Sequence, residues 1–529
     1  MLNNQILQSL KAYMQTLTAD VALVLQTGEH PQRSKLVDFL SQLVSVSERL
    51  SLREENTQNN LRSPISFGIE VDGKNTGVQF SGIPSGHEFN SLVLAILQSA
   101  GTPIRLDEHL VAQIEAIDAD LHFEVFVSLS CHNCPDVVQA VNQFALINSR
   151  ISSEMIDGGL FQEEIEQRNI QGVPSVYLNG ELFANGKIST GELVAKLVES
   201  VPKKASTTVS SRLPLQDVTV IGGGPAGVSS AIYSARKGLK VTLIADRIGG
   251  QVKDTMGIEN LISVPKTTGP ELTGSLYEHL KEYDITIKEH LSVTEVQDDT
   301  VKVIKLSSGE EIRSKTLIMA TGARWRELGV PGERENIGNG VAYCPHCDGP
   351  FFKGKDVAVI GGGNSGVEAA LDLAGIVKSV TIVEFAPELK ADQILIEQAE
   401  KRKNIKIVNN AATQSIEAND GKVHGFVLQD RDSGQTKKVD VDGVFVQIGL
   451  IPNSQLVEGL LELTPYGEIV INEQCQTSTQ GIFACGDVTT VPYKQIVIAM
   501  GEGAKASLAA FEYLLTLDDA QFSEEEIAA

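Results

Sequence analysis

Residues 217–227 read Asp-Val-Thr-Val-Ile-Gly-Gly-Gly-Pro-Ala-Gly, an apolar run that enters a G-x-G-x-x-G pattern. We predict a strand over Asp217–Ile221 and a helix that extends through Arg236. Small residues in the turn let the backbone approach a pyrophosphate, which the positive N-terminus of the helix then holds. A second strand, Lys240–Ala245, ends at Asp246, where an acid can bind the ribose hydroxyls of adenosine. The segment therefore predicts a βαβ dinucleotide-binding unit.

The same pattern occurs a second time in the chain. Strand Asp356–Ile360 enters residues 361–366, Gly-Gly-Gly-Asn-Ser-Gly, and strand Ser379–Val383 ends at Glu384. Two complete units are a far more specific signal than one isolated glycine pattern. Strands and helical stretches also alternate from Asp217 to about Glu512, which predicts parallel α/β layers.

Segments outside the two units indicate which dinucleotide each unit binds. Gly486-Asp487 follows an apolar strand, and a helix rich in small residues begins near Gln495-Ile496. An aspartate at such a turn can bind a ribityl hydroxyl, and a helix N-terminus can face the electron-rich edge of a flavin. We therefore expect FAD at the first site and a nicotinamide dinucleotide at the second. The predicted cofactor-binding residues are Gly222, Gly224, Pro225, Ala226, Gly227, Asp246, Gly250, Gln251, Asn260, Thr321, Gly322, Gly361, Gly363, Asn364, Ser365, Gly366, Glu384, Gly486, Asp487, Gln495 and Ile496.

The charge of the second site predicts NADH rather than NADPH. A 2′-phosphate needs an arginine or lysine nearby. Residues 382–388, Ile-Val-Glu-Phe-Ala-Pro-Glu, contain no base and two acids. Glu384 would accept hydrogen bonds from ribose hydroxyls and repel a phosphate.

Two Cys-x-x-Cys pairs occur in different settings. Cys131 and Cys134 follow an apolar run at a predicted helix start, whereas Cys344 and Cys347 lie just before the second glycine pattern. We expect the first cysteine of the helix-start pair to be exposed, with its thiolate favoured by the helix dipole. A zinc site is the alternative, but the pairs are about 210 residues apart, whereas zinc-binding pairs are usually much closer. We therefore predict no metal, and we read the remaining cysteines, Cys475 and Cys485, as bystanders.

Residues 1–200 contain an internal repeat. In the second copy, a strand leads to Cys131–Cys134, a helix, another strand and then Val173-Pro174-Ser175-Val176-Tyr177. Cys-x-x-Cys followed about 40 residues later by Val-Pro is typical of thioredoxins and glutaredoxins. In the first copy Thr27 and His30 stand in the cysteine positions, so this copy cannot perform dithiol chemistry.

Composition limits the function classes. The chain has 529 residues, a formal charge of −24 and six cysteines. Its length predicts several domains, and its acidity argues against nucleic acid or anionic membranes as partners. No apolar run approaches the roughly 20 residues of a membrane span. The N-terminal residues show no basic and apolar leader, and the sparse cysteines suit a reducing compartment, so we expect a cytoplasmic protein.

Residues 216–529 resemble the low-molecular-weight thioredoxin reductases. The whole chain resembles the flavoprotein subunits of alkyl hydroperoxide reductase, which are NADH:peroxiredoxin reductases; residues 130–136, 343–350 and 491–495 carry this resemblance. A His-Arg-Arg cluster, usual in thioredoxin reductases after the second unit, is absent, which suits the NADH-using family. The resemblance implies an α/β fold of two Rossmann-like domains preceded by two thioredoxin-like folds. Its expected segments are 1–102 (inactive thioredoxin-like fold), 103–200 (active fold), 201–215 (flexible linker), 216–329 (first part of the FAD domain), 330–448 (NADH domain) and 449–529 (second part of the FAD domain).

The resemblance also implies a route for electrons. They would pass from NADH to FAD, to Cys344–Cys347, to Cys131–Cys134 and finally to a disulfide of a two-cysteine peroxiredoxin. Cys347 would be the sulfur that faces the flavin, and Pro174 would have a cis bond. A domain reorientation would alternate nicotinamide and dithiol at the flavin, and the chain would be a homodimer.

Two acids beside the dithiols have open roles. Asp348 is either a general acid–base or a turn acid. Glu88 lies in Gly86-His87-Glu88-Phe89, which matches a family motif near the active dithiol. It would buffer a thiol proton, or it is a structural acid at a helix start.

Two other functions are compatible with parts of the sequence. One is an NADH oxidase that passes electrons from flavin to oxygen. The other is a redox-sensing protein whose thioredoxin-like tandem only docks partners, although a scaffold does not need two intact dinucleotide sites.

Overall fold

The computed structural model describes residues 4–57, 61–129, 131, 133–170, 172–186, 188–202, 213–255, 257–419 and 422–517. The chain forms two compact units. The first comprises Met1–Ser211 with Ser307–Glu310, and the second comprises Arg212–Leu306 with Glu311–Ala529. Most of the predicted linker 201–215 lies outside the described residues.

Within its described residues, the first unit has one mixed sheet with helices packed against it. The strand order is β2-β1-β3-β4-β6-β5-β7-β8. The elements are α1 (Asn4–Met14), β1 (Val21–Gln26), α2 (Arg33–Val44), β2 (Leu50–Glu55), β3 (Ser66–Val71), β4 (Lys74–Ser81), α3 (Phe89–Ser99), α4 (Glu108–Glu115), β5 (Leu121–Val127), α5 (Cys134–Ile147), β6 (Ile151–Asp157), α6 (Gln162–Gln167), β7 (Ser175–Leu178), β8 (Glu181–Asn185) and α7 (Thr190–Ser200).

The predicted repeat appears as two halves of this sheet with the same pairing. In each half the first two strands are parallel, β1 with β2 and β5 with β6. The third strand, β3 or β7, is antiparallel to the first. The halves join through parallel pairing of β4 with β6, from Val78 opposite Ser153 to Ser81 opposite Ile156. The two copies therefore share a continuous sheet.

A buried ionic network crosses this junction. Arg62, in the first copy, forms ion pairs with Glu124, Glu154 and Glu164 in the second. Although burial opposes it, hydrogen bonds from His122 and Arg62 lower the pKa of Glu154 to about 2. Because buried carboxylates are costly without a cation, the network ties the two copies together.

The second unit contains a mixed sheet whose central strands are parallel, a second sheet that is entirely parallel, and two smaller antiparallel sheets. The sheet orders are β11-β10-β9-β14-β13-β12 with β25 beside β14, β16-β23-β17-β18-β19, β20-β21-β22 and β15-β24. The elements are β9 (Gln216–Ile221), α8 (Pro225–Ala235), β10 (Val241–Ala245), α9 (Gly269–Lys281), β11 (Ile285–Glu289), β12 (Val293–Asp298), β13 (Lys302–Leu306), β14 (Glu311–Met319), β15 (Ala323–Trp325), β16 (Val341–Ala342), α10 (Pro345–Asp348), β17 (Asp356–Ile360), α11 (Asn364–Leu373), β18 (Ser379–Val383), α12 (Gln393–Lys401), β19 (Ile405–Val408), β20 (Ala411–Asn419), β21 (Lys422–Asp430), β22 (Thr436–Asp440), β23 (Gly443–Val446), β24 (Leu450–Pro452), β25 (Ile482–Ala484) and α13 (Ile496–Leu514).

The architecture of the second unit places both glycine patterns at the carboxyl ends of central strands. β9 lies between β10 and β14, and β17 lies between β18 and β23. In open α/β sheets, ligands bind at this end of the strands. The antiparallel pair β15 and β24 carries the chain from the first sheet to the second and back. In the described part of the chain, no helix is both long and apolar enough to span a bilayer.

Candidate active site

The first glycine turn, between β9 and α8, divides three tasks among three glycines. Gly222 has φ +119°, a conformation that L side chains rarely adopt. A Cβ on Gly224 would meet nothing within 4 Å, so the turn is open to a ligand. A Cβ on Gly227 would lie 1.8 Å from the Gly222 carbonyl oxygen, so helix and strand pack too closely for any side chain. Helix α8 has no side-chain cap, which leaves its first N–H groups available to a phosphate.

The second glycine turn, between β17 and α11, repeats this division. Gly361 has φ +121°, Gly363 is open, and a Cβ on Gly366 would lie 2.0 Å from the Gly361 oxygen. Helix α11 also begins without a side-chain cap. The side chain of Asn364 does not cap it, because its amide oxygen accepts from the Asp392 N–H at 2.7 Å. Ser365 occupies the first turn of the helix. Both turns thus fit a pyrophosphate.

The two predicted ribose acids stand at the ends of β10 and β18. Asp246 is exposed directly after β10. The Glu384 carboxylate accepts hydrogen bonds from the Ala386 N–H at 2.7 Å and from the Gly362 N–H. Sequence reasoning missed Glu289, whose side chain accepts from the Ile248 N–H at 3.1 Å. Its position at the end of β11, opposite Ala245 on β10, was the available signal.

Segments distant in sequence meet around the first turn. A Cβ on Gly250 would lie 3.1 Å from the Gly224 Cα, and a Cβ on Gly486 would lie 2.9 Å from the Ala226 Cβ. Asp487 follows within a short 3-10 helix, Gly486–Val488. Burial raises the pKa of Asp487, and the positive charge of Lys494 opposes the shift.

Two polar pairs complete the surroundings of this turn. The Asn260 side chain donates to the Gln495 side chain at 3.2 Å, immediately before Ile496 begins α13. The Thr321 hydroxyl donates to the Asn453 carbonyl at 2.7 Å, and the Asn453 amide returns a bond to the Thr321 carbonyl at 2.9 Å. Gly322, with φ +68°, accepts from the Asn453 N–H. Asn453 was not predicted, because the pairing of β15 with β24 that brings it here is not visible in the sequence.

The Cys131/Cys134 pair, called the front dithiol below, differs in two respects from the prediction. Cys134, not Cys131, opens helix α5, and Cys131 lies before it, half-buried rather than exposed. The Cys131 N–H donates to the Ser128 carbonyl, so a turn intervenes between strand and helix. Its Sγ lies 3.8 Å from the Val173 carbonyl oxygen, next to the cis bond to Pro174 that the resemblance implies.

The two front thiols are electrostatically unequal. A hydrogen bond from Cys134 lowers the pKa of Cys131 to about 6; burial opposes this, while the N–H groups of Asn133 and Cys134 assist. The same interaction and burial raise the pKa of Cys134. Cys131 is therefore the thiolate and Cys134 is the buried thiol. Both are free in the structure.

Glu88 lies beside this dithiol and is fully buried. It ends a short 3-10 helix, Gly86–Glu88, whose His87 N–H donates to the Leu129 carbonyl, between β5 and the cysteines. A Cβ on Gly86 would lie 2.5 Å from the Leu129 carbonyl oxygen, so glycine is required there. Neither Glu88 carboxylate oxygen forms a hydrogen bond within the described residues. Burial raises the pKa of Glu88 to about 7, and the charge of Cys131 adds to the shift.

The second dithiol lies at α10, just before β17. Cys344 is disulfide-bonded. Cys347 lies within α10, and its side chain falls outside the described part of the structure. Burial raises the pKa of Asp348 to about 6, and the Cys344 N–H opposes the shift. An acid with this pKa can exchange a proton near neutral pH.

The last two cysteines are buried, away from both Cys-x-x-Cys pairs in sequence. Burial raises the pKa of Cys475 well above the range of a reactive thiolate, and burial raises the pKa of Cys485 to about 12. These shifts suit the predicted role of bystanders. The histidine–carboxylate group His122, Glu124 and Glu154 has the composition of a metal site, but Arg62 already neutralises both acids.

The two glycine turns, called the first cradle (residues 222–227) and the second cradle (residues 361–366) below, lie in the same unit as a disulfide. This combination defines a class of enzyme. The family model for pyridine nucleotide-disulphide oxidoreductases matches residues 216–503, and the chain belongs to this family. A thioredoxin-domain model matches residues 121–199. Enzymes of this class use FAD and a nicotinamide dinucleotide, and the open turns at Gly224 and Gly363 fit two such cofactors. The chain is a flavoprotein disulfide oxidoreductase.

Whole-chain relatives define the family more closely. The chain is 47% identical to the F component of alkyl hydroperoxide reductase from Escherichia coli over 97% of this chain and 99% of the relative. It is also 47% identical, over the same shares, to a protein named NADH dehydrogenase from Bacillus subtilis. It belongs to the family of alkyl hydroperoxide reductase F components. Among solved structures, thioredoxin reductase from Streptococcus pyogenes is 35% identical, with a TM-score of 0.55, covering 57% of this chain and 99% of that one.

Proposed function

We propose that this chain is an NADH-dependent reductase of a two-cysteine peroxiredoxin, and so supports the reduction of hydroperoxides. The observation that carries the proposal is the pairing of two dinucleotide cradles and a disulfide in one unit with a low-pKa dithiol in the other. The direct test is NADH consumption with a purified two-cysteine peroxiredoxin and a hydroperoxide. Consumption that requires both additions supports the proposal, and consumption that requires neither refutes it.

When bound, FAD and NADH supply hydride chemistry and deliver an electron pair to the second dithiol. We infer that Cys344 pairs with Cys347 in the oxidised chain and that Cys347 faces the flavin. Once this bond is broken, the Cys344 thiolate attacks the Cys131–Cys134 disulfide and forms a mixed disulfide. The Cys347 thiolate then attacks Cys344 and displaces the front sulfur, which closes the Cys344–Cys347 bond and leaves the front pair reduced by two electrons.

The front dithiol then reduces the partner. The Cys131 thiolate attacks one sulfur of the peroxiredoxin disulfide, and the other sulfur leaves as a thiolate. Cys134 loses its proton, attacks Cys131 and releases the second peroxiredoxin thiol. The pKa of Cys131, about 6, keeps it ionised at neutral pH, and the raised pKa of Cys134 keeps that thiol protonated until the second step.

Glu88 and Asp348 serve in this proposal as proton carriers for the two dithiols. Glu88, buried beside Cys131 with a pKa of about 7, takes the proton that Cys134 must lose. Asp348, with a pKa of about 6, does the same for the second dithiol. Asp348→Asn should slow reoxidation of the reduced flavin by the Cys344 disulfide about 100-fold, whereas unchanged reoxidation would assign it a structural role.

We also propose that NADH is the physiological reductant. Backbone N–H groups hold the Glu384 carboxylate at the end of β18, the position from which an acid binds ribose hydroxyls in dinucleotide-binding folds. The name of the Bacillus subtilis relative refers to NADH. The fold does add a base that the local sequence does not show, because the Arg431 guanidinium lies 3.8 Å from the centre of the Phe385 ring. It is held by the Phe385 carbonyl and the Asn410 side chain, and we assign it to packing.

Nucleotide preference is expected to depend on the charge of Glu384. In the native chain, kcat/KM for NADH should exceed that for NADPH by at least about tenfold. Glu384→Gln keeps an oxygen that accepts from the backbone N–H groups but removes the charge. It should lower the ratio of kcat/KM for NADH to kcat/KM for NADPH about tenfold, because a hydrogen bond to a charged group contributes about 1.5–3 kcal/mol. Glu388→Gln, an exposed acid in the same segment, is the matched control. Equal native efficiencies with both nucleotides would show that NADH is not selected.

The remaining parts of the proposal concern assembly and place. We propose a homodimer formed through the FAD-binding domain, the segment boundaries 1–102, 103–200, 201–215, 216–329, 330–448 and 449–529, and a cytoplasmic location. The relatives named as components of alkyl hydroperoxide reductase support a peroxiredoxin as the partner. Sedimentation equilibrium tests the homodimer by measuring the molar mass in solution. The mass of a monomer at micromolar concentration would contradict this part of the proposal.

A further inference from the structure

The chain has a single tryptophan, Trp325, which lies in the segment that crosses between the two large sheets of the second unit. Trp325 ends β15, which pairs with β24 through Trp325 opposite Leu450. Its side chain packs on the core of the second sheet, together with Leu328 and Val330. A residue in this crossing segment can contact groups of both sheets. If one sheet rotates relative to the other, such contacts must change.

On one side, the indole ring contacts the dithiol segment. It stacks on Tyr343 with ring centres 6.1 Å apart and planes 23° from parallel. Tyr343 immediately precedes Cys344 and is held at both ends. Its hydroxyl donates to the buried Glu333 at 2.9 Å, and its carbonyl accepts from the Gln447 amide at 2.6 Å.

Glu333 also fixes the chain between Trp325 and the dithiol. Its carboxylate accepts the N–H groups of Leu328 at 2.8 Å and Gly329 at 2.7 Å. The three hydrogen bonds leave this fully buried acid satisfied. Hydrogen bonds therefore hold the segment from Leu328 to Tyr343 together and join Tyr343 to Gln447, which follows strand β23 of the second sheet.

On the other side, the indole N–H contacts the first dinucleotide site. When the Gln251 amide is oriented with its oxygen toward the indole, both amide atoms find partners: Trp325 Nε1 donates to Gln251 Oε1 at 2.8 Å, and the Gln251 amide nitrogen donates to the Ala323 carbonyl at 2.6 Å. Gln251 follows Gly250, which lies against Gly224 of the first glycine turn. A single side chain thus joins the first cradle to the residue before Cys344.

A second contact also joins the dithiol segment to the region of the first cradle. Phe351, three residues after Asp348, lies against Gly257, where a Cβ would be 3.0 Å from the Phe351 ring. Gly257 belongs to the same segment as Gln251. In the structure the dithiol segment therefore lies beside the first cradle.

We propose that Trp325 is a positioning residue, a latch that holds the dithiol segment beside the first cradle through its hydrogen bond to Gln251. This inference rests on the proposed function, in which nicotinamide and dithiol alternate at one flavin. Releasing the latch favours the alternative arrangement. A neutral hydrogen bond changes such an equilibrium about fivefold.

The test is Trp325→Phe, which keeps an aromatic ring against Tyr343 and removes the N–H donor. Stopped-flow measurements on the FAD-loaded chain should show flavin reduction by NADH about fivefold faster. Transfer from reduced flavin to the Cys344 disulfide should be about fivefold slower. Opposite changes in two half-reactions are not expected from general structural damage. Rates that are unchanged, or that fall together, would overturn the latch.

A control and a second variant complete the test. Tyr466→Phe, at an exposed aromatic residue of the same unit, should leave both rates at the native value. Gln251→Leu removes the acceptor from the other side and keeps the tryptophan. In the FAD-free variant, the fluorescence of Trp325 should shift to longer wavelength and be quenched more easily by acrylamide. Unchanged fluorescence would contradict the hydrogen bond between Trp325 and Gln251. If the native chain itself fails to reduce its disulfides, the proposed function fails, whereas a native chain that works beside an unaffected Trp325→Phe refutes only the latch.

Discussion

Replacing Cys131 by serine is expected to reduce NADH consumption with peroxiredoxin and hydroperoxide by about a thousandfold or more. The reason is that a serine hydroxyl, unlike the Cys131 thiol with its pKa of about 6, is not ionised at neutral pH and cannot form the mixed disulfide. Flavin reduction by NADH should persist at the native rate, because the second unit carries both cradles and the Cys344 disulfide. The measurement compares steady-state turnover with anaerobic bleaching of the flavin in the same preparation.

This experiment also separates the proposed function from that of an NADH oxidase, which would pass electrons from flavin to oxygen. An oxidase would lose nothing when Cys131 is replaced. Cys485→Ser is the matched control, because Cys485 is buried in the core of the second unit and takes no part in the proposed transfer. Retention of peroxiredoxin-dependent turnover by Cys131→Ser would contradict the role of the front dithiol.

Glu88→Gln is expected to change both the pH dependence of stability and the rate of thiol exchange. Folding raises the pKa of Glu88 from 4.5 to about 7. Below 4.5 the acid is protonated in both states and has no effect. Between pH 4.5 and pH 7, Glu88 ionises only in the unfolded chain. The free energy of unfolding therefore falls as the pH rises, by about 3 kcal/mol in total, because each unit of pKa shift corresponds to about 1.36 kcal/mol. Above 7 the loss is complete.

The glutamine variant should lack this decline, because its side chain does not titrate. Hydrogen exchange of the α3 and α5 amides at pH 5 and pH 8 measures the opening free energy of the first unit in each case. Glu29→Gln, at an exposed acid of the first copy, should retain the native decline. Reduction of a small disulfide by the front dithiol should slow about 100-fold in Glu88→Gln. A native decline in the variant, or an unchanged exchange rate, would assign Glu88 another role.

The features of this fold that depend on short stretches of sequence could be predicted. A turn such as Gly222–Gly227 needs a positive φ, an open position and a close helix–strand contact, and only small residues satisfy all three. The bounds of β17 and β18 are as predicted, and those of β9 and β10 differ by a residue, since apolar β-branched runs end where the glycine turn or the acid begins. The dithiol motif and Pro174 are equally local signals.

Features that depend on long-range pairing were not predictable. The continuous sheet of the first unit depends on β4 meeting β6, and neither strand carries a mark of its partner. Arg62 looks like a loop arginine until the fold surrounds it with buried acids. The bridge from Gln251 through Trp325 to Tyr343 joins segments that are ordinary in isolation. Cys131 precedes its helix because of a turn at Ser128, which the motif alone does not specify.

We propose that one electron pair can rest at each of three centres in turn: the flavin, the disulfide of Cys344 and the Cys131–Cys134 disulfide. Anaerobic titration of the oxidised, FAD-loaded chain with NADH counts these centres directly. We expect full reduction to require about three equivalents of NADH, with the Cys131–Cys134 bond shown by thiol count to be open at the end point. An end point near one equivalent, with the front bond still closed, would contradict it.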